Sequence, residues 1–70
     1  MEIEKQIEKS FTYHAPKEGQ PERYTEIRDK AKQLAYLLAA HCPESRERSI
    51  AFTKLDEVVM WANASIARNE

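Results

Sequence analysis

The sequence predicts an all-α protein: a short N-terminal helix followed by a two-helix antiparallel hairpin, with the hairpins assembled into a helical homo-oligomer. Two long stretches place apolar residues at alternating three- and four-residue steps, the spacing of a heptad seam. They are Tyr24, Ile27, Ala31, Leu34, Leu38 and His41 in the first, and Phe52, Leu55, Val59, Ala62 and Ile66 in the second. Only Cys42-Pro43-Glu44-Ser45 separates them, a link so short that the two helices must be antiparallel neighbours. The third observation concerns supply and demand of apolar surface. Ile50, Val58, Met60 and Trp61 lie off the seam and make the second helix apolar around most of its circumference, as a buried helix is. A chain of 70 residues with the single cysteine Cys42 has no intrachain disulfide, and one core of this size supplies roughly 3–5 kcal/mol. Assembly with other subunits is the remaining source of stability.

The chain reads as one domain over residues 1–70. Residues 1–10 form the short helix, where acidic and basic residues alternate and Ile3 and Ile7 sit one turn apart, with Phe11 extending the stripe. Such a helix is below the length at which isolated helices persist, so it is expected to dock on something. Residues 11–20 form a loop rich in aromatics. Gly19-Gln20-Pro21 ends it, with Pro21 suited to the first helical position and Glu22 complementing the helix dipole. Residues 21–41 form the first long helix, whose apolar face Ala35, Tyr36 and Leu37 widen beyond one partner helix. Cys42, placed before a proline, disfavours helix, and Ser45 is a candidate cap for the second long helix over residues 45–69.

Charge and composition narrow the function. Eleven Lys and Arg against twelve Asp and Glu leave a net charge of −1, with no long-range pull toward a nucleic acid polymer. A ligand with two or three phosphates needs only a few well-placed cations, so a small anionic ligand stays open. No apolar run approaches the roughly 18 residues of a membrane span. Met1 to Ser10 carries five charges in place of an apolar leader, and with a lone cysteine this fits a reducing cytoplasm. One glycine rules out a Gly-rich phosphate loop, and no nucleophile has a flanking base. The two histidines, His14 and His41, have no zinc-site spacing with Cys42; His41 reads as a core or capping residue near a helix end. The carboxylates read as solvated surface partners of Lys and Arg, as Glu26 with Lys30. The expectation is a protein that is no enzyme and needs no metal or cofactor.

The loop "SFTYHAPKEGQPERY" is left to explain. Tyr13 and His14 are flat groups able to stack on a nucleobase. Downstream, Arg28, Lys30 and Lys32 place three cations within about one turn, in reach of phosphates. The alternative is that Tyr13 and Phe11 pin the short helix to the hairpin while Arg28 and Lys30 form a solvated face.

The stretches "FTYHAPKEGQPERY", "IRDKAKQLAYLL", "CPESRERS" and "FTKLDEVVMWANASIARN" together resemble the phage anti-CBASS cyclic-nucleotide sponges of the second class, whose hairpin is shared with some anti-Thoeris sponges. The resemblance runs from Phe11 to Asn69. It implies a small helical protomer that forms a hexamer in the cytoplasm of the infected bacterial host and binds cyclic oligonucleotide messengers without cleaving them, so that a CBASS effector stays off. It further implies a cyclic-dinucleotide pocket between two protomers, with Tyr13 at the aromatic position and either Arg28 or Lys30 at the basic one; His14 joins this site as the second flat group of the loop. A separate cyclic-trinucleotide site is implied at Arg68. The alternative function is that of a small helical phage accessory protein that binds a host protein.

Overall fold

A computed structural model of the protein describes residues 2–70; Met1, the first residue of the expected short helix, lies outside them. Three helices make up the described chain, with no strand: α1 (Glu2–Phe11), α2 (Gln20–His41) and α3 (Arg46–Asn69). Phe11, read from the sequence as the first loop residue, is the last residue of α1.

Helix α1 has the charges its dipole favours, Glu2 and Glu4 in the first turn and Lys9 in the last. The last carbonyls of a helix lack intrahelical partners, and here residues just past the end supply bonds. His14 donates its Nε2–H to the Lys9 carbonyl at 2.8 Å, and the Thr12 hydroxyl donates to the Glu8 carboxylate at 3.2 Å. The expected docking of α1 through its apolar stripe does not occur within the chain. Ile3, Ile7 and Phe11 are 53%, 48% and 86% exposed. Helix α1 instead shares a cleft with the end of α3, with Gln6, Lys9 and Ser10 on one wall and Trp61, Ser65 and Arg68 on the other.

Gly19 precedes α2 with φ of 84°, the left-handed region where a side chain would be strained. This lets Gln20 N–H donate back to the Lys17 carbonyl at 3.1 Å. Pro21 then occupies the first turn, where its missing N–H costs nothing. The other end stops at Cys42, which is extended (φ −100°, ψ 130°) as a residue before proline prefers. Helix α3 begins at the Ser45 cap, whose hydroxyl accepts from Arg48 N–H at 3.1 Å. Arg48 also bonds the Cys42 carbonyl at 3.3 Å and lies over the Phe52 ring, 5.8 Å from its centroid, tying the turn to α3.

Helices α2 and α3 are antiparallel and pack along one seam. In α3 the half-buried residues include Phe52, Leu55, Val59, Ala62 and Ile66. In α2 the half-buried seam is Tyr24, Ile27, Ala31, Ala35 and Leu38, followed by Cys42 just past its end, which corrects the expected heptad at two places. Leu34 is 43% exposed and His41 is exposed rather than in a core. A straight helix advances about 3.6 residues per turn, so without supercoiling its buried stripe drifts from Leu34 to Ala35, and the helix ends at His41 before the stripe turns inward again. The expected pair of Glu26 with Lys30 is not an ion pair; among the described residues the pairs are Arg23 with Glu70 and Lys54 with Glu57.

No apolar side chain among the described residues is fully buried, and Gln20, 3% exposed, is the one buried residue. The radius of gyration is 15.5 Å and the principal extents are 48 × 27 × 13 Å, against the ~11 Å expected of a compact domain of this length.

Candidate functional site

The loop between α1 and α2 is slung between two anchors. At its start His14, half-buried, is held on the end of α1 by the bond to Lys9. At its end Lys17 N–H donates to Gln20 Oε1 at 3.0 Å, and Tyr24 O–H approaches the same oxygen at 3.5 Å. Gln20 Nε2 donates to Glu70 Oε1 at 3.4 Å. The Arg23 guanidinium grips both Glu70 oxygens, with Nη1 3.0 Å from Oε2 and Nη2 on Oε1, and Lys17 Nζ donates to the Glu70 carbonyl. The bond from Arg23 holds the Glu70 carboxyl below the usual carboxylate range against an opposing desolvation, with Gln20 adding to the effect. The same bond raises Arg23. Just before the first anchor the Tyr13 ring projects outward, 84% exposed. The reading in which Tyr13 and Phe11 pin α1 to the hairpin is therefore excluded within one chain.

The cations expected to act together are on different faces. Arg28 lines a groove of about 520 Å³ along one side of the seam, together with Lys32, Asp56, Val59 and Met60. Its guanidinium reaches only Thr25 Oγ1, at 3.4 Å. Lys30 lines a groove of about 340 Å³ on the opposite side, with Glu26, Leu34 and Val58. Residues two apart on a helix do not face each other, whereas residues four apart do. This spacing is the signal that separates Lys30 from Arg28 and joins Lys32 to it. Arg68, half-buried, lines a third cleft of about 300 Å³ between α1 and α3, with Lys9, Ser10, Trp61 and Ser65.

The structure thus brings Tyr13 next to His14, and Arg28 next to Lys32. It does not bring the Tyr13 ring to Arg28, Lys30 or Arg68: Tyr13 lines none of these three grooves. Sequence reasoning missed the cluster of Lys17, Gln20, Arg23 and Glu70, since no local pattern links the loop to a residue some fifty positions away. No cluster of three or more His, Cys, Asp or Glu side chains suited to a metal ion occurs among the described residues. Among the same residues, no helix is long and apolar enough to cross a membrane.

No curated protein sequence and no solved structure matches the chain. A family model does: the Acb2/Tad1 hairpin domain matches residues 3–67, a span that takes in nearly all of α1, the aromatic loop, α2 and most of α3, and on that match the chain belongs to the Acb2/Tad1 hairpin-domain family.

Proposed function

We propose that the protein is a sponge that binds cyclic oligonucleotide second messengers and holds them uncleaved in the cytoplasm of the infected bacterial host, so that a CBASS effector is not activated. Membership of the Acb2/Tad1 hairpin family over residues 3–67 carries this reading, because that family implies a phage anti-defence function of the sponge type. The loop supports it chemically. An aromatic ring held outward on an anchored backbone is prepared to stack on a base, a contact of ~1–3 kcal/mol.

Since the Tyr13 ring and the Arg28 groove lie apart on one chain, the cyclic-dinucleotide pocket forms between subunits of a homo-oligomer, a hexamer in this reading. Tyr13 and His14 of one protomer cover the bases while Arg28 of its neighbour, with Lys32 beside it, meets the phosphates. Lys30 is assigned a lesser part, being on the other side of the seam. Arg68 serves a separate cyclic-trinucleotide site. A sponge acts by stoichiometry, so it must be tight: nanomolar affinity takes about −12 kcal/mol, which stacked bases and clamped phosphates shared between protomers supply. The groups assigned to ligand are rings and cations without an activated nucleophile, in keeping with binding and no turnover.

A thermal-shift panel of cyclic di- and trinucleotides tests this. A ligand at a hundred times its dissociation constant stabilises the protein by about 2.7 kcal/mol, and chromatography after incubation should return it intact. The exposed Val58, Met60 and Trp61 favour a second reading, an accessory protein that binds a host protein; a panel without any shift would select it.

A further inference from the structure

The one buried polar side chain among the described residues is not one of those assigned to ligand. Gln20 is the only buried residue among those described, and its amide joins three parts of the fold. Oε1 accepts from the loop at Lys17 N–H and receives the Tyr24 hydroxyl from α2; Nε2 donates to Glu70, just past the end of α3. A buried side-chain amide is costly unless its donors and acceptors are matched, and here loop, α2 and α3 match it together. Arg23 and Lys17 fasten the other side of the cluster by gripping the Glu70 carboxylate and carbonyl. Gln20, Arg23 and Glu70 line none of the grooves of Arg28, Lys30 and Arg68, so the cluster stands apart from them. What it does fix is Lys17, the downstream anchor of a loop whose upstream anchor is His14. Only Ala15 and Pro16 lie between these two anchors, and Tyr13 adjoins the first.

We infer that Gln20, locked by Arg23 and Glu70, is a positioning residue that sets the backbone of the Tyr13–Lys17 loop and thereby presents the aromatic ring to ligand. The inference deepens the sponge reading and rests on it for its binding half. Its structural half stands on the ligand-free chain. Because the lock joins the start of α2 to the end of α3, the loop keeps its shape only while the open end of the hairpin is closed, and the ring is ordered before ligand arrives.

The test uses Gln20→Leu, which keeps the volume and removes the amide, and Glu70→Gln, which removes the charge from an exposed site, with Glu70→Asp as the conservative variant. Hydrogen exchange of the ligand-free full chain should show the Lys17 and Gln20 amides, bonded to Gln20 Oε1 and to the Lys17 carbonyl, exchanging about five- to tenfold faster in the first two variants, the loss of a net hydrogen bond, with seam amides in α2 and α3 unchanged. Titration with cyclic GMP–AMP and cyclic di-AMP should show affinity weakened by a similar factor, mainly through faster dissociation, with Glu70→Asp closer to wild type. Loop exchange unchanged in both Gln20→Leu and Glu70→Gln overturns the inference. So does a loosened loop with wild-type affinity, and so does seam exchange that rises as much as loop exchange, which would mark the cluster as general structure. If wild-type protein binds neither probe while the loop alone loosens in the variants, the sponge reading fails and the anchoring of the loop by Gln20 is upheld.

Discussion

Tyr13 offers the cleanest residue-scale experiment, because its ring is 84% exposed and packs little against its own chain. Tyr13→Ala should weaken cyclic-dinucleotide binding roughly 5- to 150-fold per stacked base, while Tyr13→Phe keeps most of the affinity, since the ring face makes the contact. Neither should loosen the α2–α3 seam of the ligand-free protein. Calorimetry on both variants decides, and unchanged affinity in Tyr13→Ala would take the loop out of the site. Arg28→Ala, measured beside it at two salt concentrations, should weaken binding and flatten its salt dependence. Lys30→Ala, on the far side of the seam, should do neither to a comparable extent; the reverse order would move the phosphates to the Lys30 groove. Arg68→Ala should spare the dinucleotide and weaken the trinucleotide, and equal loss of both would merge the two sites. Asn63 adds a stability test. Its Oδ1 is buried without a hydrogen-bond partner, which costs about 1–3 kcal/mol, so Asn63→Leu should raise the melting temperature of the protein, and a fall would mean that the amide has a partner in the assembled state.

At the scale of elements, the Glu70 lock makes the open end of the hairpin sensitive to acid. The Glu70 carboxyl is held below its ordinary value of 4.5 by the bond from Arg23. A carboxylate with a depressed folded value contributes stability that is present above the unfolded value and lost as pH falls through the folded one. Protection of the loop amides should therefore be steady near neutrality and decline below about pH 4.5, whereas Glu70→Gln should show no such decline from this site. Protection that is independent of pH in wild type would mean that the pair is not formed in solution. The raised Arg23 value acts in the opposite sense, holding at lower pH and fading only in strong alkali. These elements were unequally legible. The α3 seam could be read residue by residue, because Phe52 to Ile66 is apolar at the right steps and capped by Ser45. The α2 seam could be read only in part, since Leu34 and Ala35 are both apolar and only the untwisted helix decides between them. The Gln20 lock could not be read at all: a glutamine beside Gly19 and Pro21 looks like loop punctuation, and its partner Glu70 is distant in sequence. For the site, Tyr13 and His14 stood out by composition, while the division of Arg28 and Lys30 between two faces comes from helix geometry that a count of nearby cations ignores.

On the scale of the whole molecule, one chain has too much surface for its mass. Its accessible area is 5937 Å², where a compact monomer of 8.2 kDa would expose roughly 4,500 Å². The excess is comparable to what one subunit gives up in more than one standard interface, at about 800 Å² per partner. It is also apolar where it matters. Ile50, Val58, Met60 and Trp61 on α3, Tyr36 and Leu37 on α2, and Ile3, Ile7 and Phe11 on α1 are all exposed, while no apolar side chain among the described residues is buried. A hairpin in this condition has no core of its own to offset the entropy of folding, so folding and assembly should be one event. Two consequences are measurable. The melting temperature should rise with protein concentration, as mass action requires when only the folded state associates, and sedimentation at micromolar concentration should report a species several times the protomer mass. Trp61→Glu should break this, because an unpaired charge in a desolvated contact costs several kcal/mol. The damage should appear as loss of helix at low concentration, since the separated hairpin cannot hold itself. Trp61→Phe, which keeps the apolar contact, should stay assembled. A wild-type chain that sediments at 8.2 kDa with a melting temperature independent of concentration would refute the assembly, and with it the pocket that needs Tyr13 from one subunit and Arg28 from the next.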